Sequence, residues 1–217
     1  MKKKLKPRLR GYFHRAAFYA SLVIGLILGF VARPGIPKFS AIIYMISLIN
    51  LYGVSSVLHL TDWIEEWVEE KVAKIDHASI FILIAGSYTP LCLLCTPRSN
   101  MNDGMNLLIL GSTWMIAIAG VMKSIIWSRA PRIFNVGFYV TCGLTVVPFF
   151  NHLKESMSLM ELKLFITACS IYLLGGVVYG AKYPNPWPKT FGFHEIFHVI
   201  TIIGNVVYMA SIVSHVI

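Results

Sequence analysis

Long apolar runs recur along the chain, and short polar connections separate them. Seven runs are long enough to cross about 30 Å of hydrocarbon as helices, and none alternates with the period of a strand. They lie at about 16–32, 39–60, 77–96, 105–126, 133–150, 161–180 and 194–216. Because backbone polar groups in lipid must be satisfied within the protein, a helical bundle is expected. We therefore predict an all-α integral membrane protein, a seven-transmembrane helix bundle forming one domain over residues 1–217.

The connection after the second run is acidic and amphipathic. It reads D-W-I-E-E-W-V-E-E over residues 62–70, with apolar side chains at helical spacing opposite four glutamates. A helix with one apolar and one charged face is typical of a membrane interface. We predict a short interfacial helix over 62–73 and no catalytic role for its carboxylates.

The basic residues at the ends of the runs predict the orientation. Seven of the 19 lysines and arginines lie in the tail 1–15, and most of the others fall on the same side of the predicted bundle. Basic residues concentrate on the cytoplasmic side of membrane proteins. We therefore expect a basic cytoplasmic tail over 1–15, a cytoplasmic N-terminus and an external C-terminus.

The composition agrees with this class. Hydrophobic residues make up 56% of the 217 residues and charged residues 13%, about half the charged share of a soluble domain. The net charge of +9 reflects the topology signal and contact with anionic lipid, so no nucleic-acid partner is expected. The expected location is the cell membrane, as a multi-pass protein, with membrane lipids as partners.

Few ionisable or polar groups remain inside the predicted spans, and such groups mark functional sites because they are costly in lipid. The main candidates lie at the ends of the second, third and seventh runs: Ser55, His59, Asp76, His194 and His198. The predicted topology brings all five to one depth on the cytoplasmic side. We interpret His14, His152 and His215 as ordinary interfacial histidines, and the four cysteines as packing residues.

Three imidazoles that converge at one depth can form an open zinc site with a water as fourth ligand. His194 and His198 are one turn apart, and Ser55 has the same spacing from His59, so Ser55 faces the site with its histidine. Asp76 supplies a carboxylate that can hold the water or orient a ligand. Zn²⁺ would provide hydroxide near neutral pH. Asp76 as base and Ser55 as oxyanion donor then favour hydrolysis of an amide or ester.

The stretch H-E-I-F-H also matches the H-E-x-x-H pattern of metalloproteases, which leaves a second interpretation open. In that interpretation Glu195 is the general base. Because His59 is available as the third ligand, the base is more consistent with Asp76, and an intramembrane protease is the less favoured alternative.

Three stretches resemble the motifs of the hemolysin III family, the bacterial branch of the progestin and adipoQ receptor superfamily. They are S-S-V-L-H (55–59), K-I-D-H-A-S-I-F-I-L-I-A-G-S-Y-T-P (74–90) and H-E-I-F-H-V-I-T-I-I-G (194–204), in the family's order and separation. The resemblance implies a zinc ion held by His59, His194 and His198 on the cytoplasmic side, with Asp76 beside its water and Ser55 just outside the ligand set. One departure is R-L-R-G-Y-F-H-R before the first run, where many members carry an acidic residue and an asparagine.

The resemblance also implies the candidate functions. Eukaryotic relatives are receptors with ceramidase-like hydrolysis of lipid amides, and the bacterial branch is named for haemolytic, pore-like activity. We expect a zinc-dependent hydrolase of a lipid amide or ester, with a lipid substrate bound between the second, third and seventh spans. A pore-forming or cytolytic protein, or a receptor with structural zinc, is the alternative.

Overall fold

The computed structural model describes residues 6–95, 103–127 and 130–217, except for the side chains of Asp103, Phe149 and His152. The part of the chain that it describes is helical apart from loops and one isolated bridge between Trp187 and Phe191. The helices are α1 (Tyr12–Val31), α2 (Ile36–Leu60), α3 (Glu66–Leu94), α4 (Asp103–Ile126), α5 (Arg132–Gly143), a 3₁₀ segment (Leu144–Phe149), α6 (Phe150–Ser156), α7 (Leu159–Ala181) and α8 (Phe193–Val216).

Within the described residues, six helices are long and apolar enough to cross a membrane: α1, α2, α3, α4, α7 and α8. Large apolar side chains remain on their outer surfaces, such as Phe30, which is 85% exposed. A soluble protein would not leave such a surface in water, whereas lipid solvates it without cost. The all-α membrane fold is therefore confirmed, although the expected count of seven spans is not.

The fifth expected span is the exception, because residues 132–156 form no continuous helix. Helix α5 ends at Gly143, and the 3₁₀ segment that follows contains Pro148, which has no amide to donate. The phenol of Tyr88 in α3 forms hydrogen bonds with two of the backbone groups that the break leaves without a helical partner. It donates to the carbonyl of Gly143 (2.6 Å) and accepts from the amide of Val146 (3.2 Å). The break is thus stabilised by a neighbouring helix, as broken membrane helices require.

Residues 66–73 are the first turns of α3 and continue into its apolar part without interruption, so they form no separate helix. Glu66 and Glu69 lie in the first turn, where the helix dipole favours negative charge. Their position at a membrane interface stays a prediction. The first five residues of the basic tail lie outside the described residues.

The helices pack mainly with their neighbours in sequence: α1 on α2, α2 on α3, α3 on α4 and α7 on α8. Helix α8 also contacts α1, α2 and α3, which closes the bundle. Helices α1, α3 and α8 begin, and α2 and α7 end, at one end of the bundle, which we call the histidine end. The functional candidates lie there.

A buried polar cluster around Asn205 ties α8 to α2 and α7 deeper in the bundle. Its side-chain oxygen accepts from Tyr172 (2.9 Å) and Tyr44 (3.2 Å). Its amide nitrogen donates to the hydroxyl of Tyr52 and to the carbonyl of Thr201, both at 2.9 Å. The amide of Asn205 is therefore fully satisfied, as a polar group in an apolar core must be.

Candidate metal centre

His59 lies in the last turn of α2, which ends one residue later, at Leu60. The chain turns there into an extended conformation at Thr61, and the indole of Trp63 donates to the carbonyl of Leu58 at 3.0 Å. This bond satisfies one of the carbonyl groups that a helix C-terminus leaves without a partner. The local sequence therefore fixes the end of α2 and, with it, the depth of His59.

His194 and His198 occupy the first two turns of α8, on one face of the helix. The start of α8 is held by side chains that accept from its first free amides. The carboxylate of Glu195 accepts from Gly192 (2.7 Å), and the side-chain oxygen of Asn185 accepts from Phe193 (3.2 Å). These contacts cap the helix and set the direction in which its two histidines project.

The three histidines meet at the histidine end as the sequence predicted. The Nε2 atoms of His59 and His194 lie 3.1 Å apart, and ligand atoms of all three rings lie within 4.8 Å of one another. Ligand distances of 2.0–2.1 Å in a tetrahedral zinc site imply nitrogen separations of about 3.3–3.4 Å. The cluster therefore fits a metal ion and can hold one. His198 is buried and the other two rings are half-buried.

Ser55 and Asp76 lie at the same end of the bundle, in the last turns of α2 and the middle turns of α3 that face them. Both side chains are buried, and the hydroxyl of Ser55 interacts with the carboxyl group of Asp76. Ser55, Asp76, His194 and His198 all line one cavity. The structure thus brings together the residues that the sequence analysis selected from three separate segments.

His14 belongs to this cluster as well, and its interpretation as an ordinary interfacial histidine was wrong. It is 3% exposed, lines the same cavity and stacks on His198 with ring centroids 3.7 Å apart. The buried face of α1 carries small or polar residues at helical spacing, namely His14, Ala17 and Ser21. That stripe on an otherwise apolar helix was the available signal. His215 lies at the opposite end of α8, as expected.

Glu195 is fully buried but is engaged away from the metal ligands. One carboxylate oxygen accepts from the side chain of Arg10, and the other accepts from the amide of Gly192. A metalloprotease of the H-E-x-x-H type needs this carboxylate to take a proton from water at the metal. The contacts of Glu195 instead support a structural role, as a helix cap and an ion-pair partner.

Arg10 is part of an N-terminal strap, residues 6–11, that crosses the histidine end. The amides of Arg8 and Leu9 donate to the carbonyls of Lys189 (3.0 Å) and Thr190 (3.1 Å) in the loop before α8. The strap also contacts the end of α2, through a 3.1 Å hydrogen bond from the side chain of Lys6. It therefore joins the two segments that supply the three histidines.

A cavity of about 440 Å³ extends from the histidines between α2, α3, α5, α7 and α8. Polar side chains line it at the histidine end, and the Asn205 cluster adds Asn205 and Tyr172 deeper in the bundle. Most of the remaining lining is formed by apolar side chains such as Leu91, Val136 and Phe165. This volume lies in the range of small-molecule sites, and the lining suits an apolar chain with a polar group at one end.

A helical bundle with an apolar surface and a histidine cluster that can hold a metal defines a multi-pass membrane protein with a candidate metal centre. The chain belongs to the haemolysin-III related family, whose model matches residues 2–209. The family membership that the sequence motifs predicted is thereby confirmed.

Individual relatives agree. Hemolysin-3 of Bacillus cereus is 24% identical over 174 residues, which are 80% of this chain and 74% of that protein. A Hemolysin-3 homolog of Bacillus subtilis (strain 168) is 26% identical over 163 residues, 75% of this chain and 70% of that protein. An adiponectin receptor protein of Drosophila melanogaster is 24% identical over 87% of this chain and 46% of its own length. The family thus lies within the progestin and adipoQ receptor superfamily.

Proposed function

We propose that this protein is a zinc-dependent hydrolase of a lipid amide or ester. The observation that carries the proposal is that Asp76, Ser55 and two of the three clustered histidines line one largely apolar cavity. A water-activating group, a carboxylate and a hydroxyl at the polar end of an apolar cavity are the parts that hydrolysis of an acyl linkage needs. A lipid acyl chain fits the apolar part.

His59, His194 and His198 would hold the zinc ion, because one ligand atom from each ring lies within 4.8 Å of the other two. A bound Zn²⁺ supplies Lewis acidity, which makes hydroxide available near neutral pH and polarises a carbonyl. Three histidine ligands leave one position for water or substrate.

Asp76 has the role of general base and then general acid. Its carboxylate accepts a proton from the attacking water, whose oxygen bonds to the acyl carbon. It returns the proton to the amide nitrogen or ester oxygen as the bond from the acyl carbon to that atom breaks. Ser55 interacts with Asp76 and orients the carboxyl group, and its hydroxyl can also donate to the developing oxyanion.

The proposal includes the orientation of the chain. With the N-terminus in the cytoplasm, the histidine end and its basic strap face the cytoplasm, as the distribution of lysine and arginine favours. A seventh crossing is then made by α5, the 3₁₀ segment and α6 together, whose combined rise is about 40 Å. The membrane is the bacterial cell membrane in this proposal.

The metal is tested on protein purified in detergent. We expect about one zinc ion per chain in the wild type and its loss in His198→Ala. Wild-type protein that binds no metal when zinc is supplied would overturn the proposal. Monodisperse elution of both proteins is the check that they remain folded.

Turnover is tested with an N-acyl sphingosine and a matched acyl ester as substrates. Asp76→Asn should retain zinc and lose at least about 100-fold in hydrolysis, because a general base contributes 10²–10⁴-fold. Glu195→Gln should retain most of the activity. Loss of activity in Glu195→Gln with full activity in Asp76→Asn would favour the protease-like arrangement instead.

Cytolytic activity is the competing function, since two relatives carry the name Hemolysin-3. Liposome leakage separates the two. A hydrolase leaves dye-loaded vesicles of non-substrate lipid intact, whereas a pore releases the dye with equal efficiency in the wild type and in Asp76→Asn.

A further inference from the structure

The N-terminal strap, residues 6–11, lies directly against the histidine cluster. Its last residue, Gly11, is buried, and a Cβ there would lie 2.9 Å from the Cβ of His59. The charge of Arg10 acts on all three candidate ligands, His59, His194 and His198. None of the strap residues, all of which the structure describes, lines the cavity. The strap therefore covers the cluster at the end of the bundle, and the cavity extends from it in the other direction.

A zinc ion has one physically accessible route to the three histidines. On the side of the cavity, most of the lining beyond the histidine end is apolar, with side chains such as Leu91 and Val136. A divalent cation would lose its hydration there without gaining ligands, so an apolar cavity and the surrounding lipid are closed to it. The metal must therefore arrive from the water at the histidine end, and the strap lies between that water and the ligands.

The strap is held by contacts that can be released without unfolding a helix. Two backbone hydrogen bonds join Arg8 and Leu9 to the loop before α8. The side chain of Lys6 donates to the carbonyl of Thr61 and pairs with Glu69 at 3.8 Å, and both contacts are at least partly exposed. Water can replace these polar contacts when the strap lifts, so each of them costs little to break.

Arg10 and Gly11 provide a latch and a hinge. The side chain of Arg10 pairs with the buried carboxylate of Glu195, which makes this the strongest contact of the strap. Gly11 has a φ of +84°, a left-handed conformation that glycine adopts without strain. Helix α1 begins at the next residue. A rotation at Gly11 would lift Arg10 away from Glu195 and leave His14 in place on α1.

We propose that the strap is a lid on the candidate metal centre, latched by Arg10 and Glu195, and that zinc enters and leaves only when the lid is open. The strap consists of lysine, proline, arginine, leucine and glycine, none of which is a zinc ligand. Opening therefore costs the same with and without the metal, so the lid controls both exchange rates and leaves the affinity unchanged. This inference rests on the zinc site of the proposed function and is independent of hydrolysis.

The first experiment closes the lid covalently. The double variant Arg8→Cys, Lys189→Cys changes two residues whose hydrogen bond joins backbone atoms, and a short bis-alkylating thiol reagent bridges them in zinc-loaded protein in detergent. Excess zinc-chelating dye then reports the release of zinc. The bridged protein should release zinc at least about tenfold more slowly than the same protein before bridging, because the bridge prevents local opening.

The native cysteines require a control for the bridging reagent. Three of the four are buried and the fourth is half-buried, so little reaction with them is expected. The single variant Arg8→Cys, treated with the same reagent, cannot form the bridge. It should release zinc at the rate of the untreated protein.

The second experiment weakens the latch. Arg10→Gln combined with Glu195→Gln replaces the ion pair by a neutral hydrogen bond and leaves no buried charge without a partner. Zinc binding and release should both become about tenfold faster, because neutral hydrogen bonds are weaker than charged ones by about that factor. The dissociation constant should stay the same. Arg15→Gln is the matched control, since it removes an exposed positive charge just beyond the strap and should change neither rate.

Release that is equally fast with and without the bridge overturns the lid. Faster release in the latch variant with an equal loss of affinity also overturns it, because the strap would then position the ligands. If the latch variant does not fold, the bridged protein decides alone. Wild-type protein that binds no zinc overturns the metal site and the lid together. If the bridge slows release but no lipid is hydrolysed, the lid stands and the hydrolase is wrong.

Discussion

His14 stacks face to face on His198, with ring centroids 3.7 Å apart and ring planes within 4° of parallel. One ring belongs to the first helix and the other to the last, so the contact ties the two ends of the chain together at the candidate metal site. Neither ring nitrogen of His14 has a hydrogen-bond partner in the described part of the chain. Its clearest contribution is therefore to hold the plane of the His198 ring.

Replacement of His14 tests this role through metal binding. His14→Ala removes the stack and should weaken zinc affinity by about tenfold, the size expected when a group that orients a ligand is lost. His14→Phe retains an aromatic face and should keep near-wild-type affinity. Competition with a zinc-chelating dye measures both. If the phenylalanine variant loses as much affinity as the alanine variant, the nitrogens of His14 matter and the stacking role is wrong.

The sequence predicted the three candidate zinc ligands, but it did not predict that His14 packs against one of them. His59, His194 and His198 stand out because charged or polar groups are expensive in apolar runs, and topology brings their ends together. His14 follows a basic tail, where a histidine costs little in water, so its burial depends on tertiary packing. The one sequence signal for it is the stripe of His14, Ala17 and Ser21 on an otherwise apolar helix, which α1 buries against the bundle.

The ion pair between Arg10 and Glu195 gives a second prediction. Glu195 is 1% exposed, so Arg10→Ala leaves a buried charge without its partner and should lower the free energy of unfolding by about 3–5 kcal/mol. The double variant Arg10→Ala, Glu195→Gln removes both charges and should recover much of this loss. Thermal unfolding in detergent measures both, with zinc content recorded in parallel.

Equal destabilisation in the single and double Arg10 variants would contradict the prediction, because the cost would then not come from the uncompensated charge. Lys6→Ala is a matched control on the same strap. Its pair with Glu69 is partly exposed, with 3.8 Å between the charged atoms, so its loss should cost at most about 1 kcal/mol.

The ion pair between Arg10 and Glu195 also shows what the H-E-x-x-H motif cannot predict. H-E-I-F-H predicts two ligands correctly, but the spacing cannot say which way Glu195 points, since that depends on an arginine 185 residues away. The number of membrane-spanning helices is likewise not predicted by the sequence pattern alone. Apolar length predicts seven segments, whereas Pro148 and the phenol of Tyr88 decide that the fifth is broken.

Gly11 tests whether the strap sets the position of His59. Its φ is +84°, and a Cβ there would lie 2.9 Å from the Cβ of His59 and 2.9 Å from the Cγ of Leu60. Gly11→Ala should therefore cost about 1–3 kcal/mol in backbone strain and, by displacing His59, should also weaken zinc binding. Dye competition and thermal unfolding measure the two effects.

Gly35→Ala is the control for backbone strain. Its φ is +85°, but a Cβ there would have nothing within 4 Å, so the variant should lose stability without losing zinc affinity. Unchanged zinc affinity in Gly11→Ala would show that the strap can move without moving His59.

The Asn205 cluster gives the last prediction. Asn205→Ala removes four hydrogen bonds at once, to three tyrosine hydroxyls and one carbonyl, and should cost roughly 2 kcal/mol, because such bonds average about 0.6 kcal/mol in membranes. Tyr172→Phe removes one of them and should cost about 0.6 kcal/mol. Thermal unfolding in detergent measures both. Because Asn205 lies deeper in α8 than the histidines, the zinc content should not change in either variant. If both variants lose the same free energy of unfolding, the hydrogen bond from Tyr172 accounts for the whole stabilisation by the cluster, and the prediction is wrong.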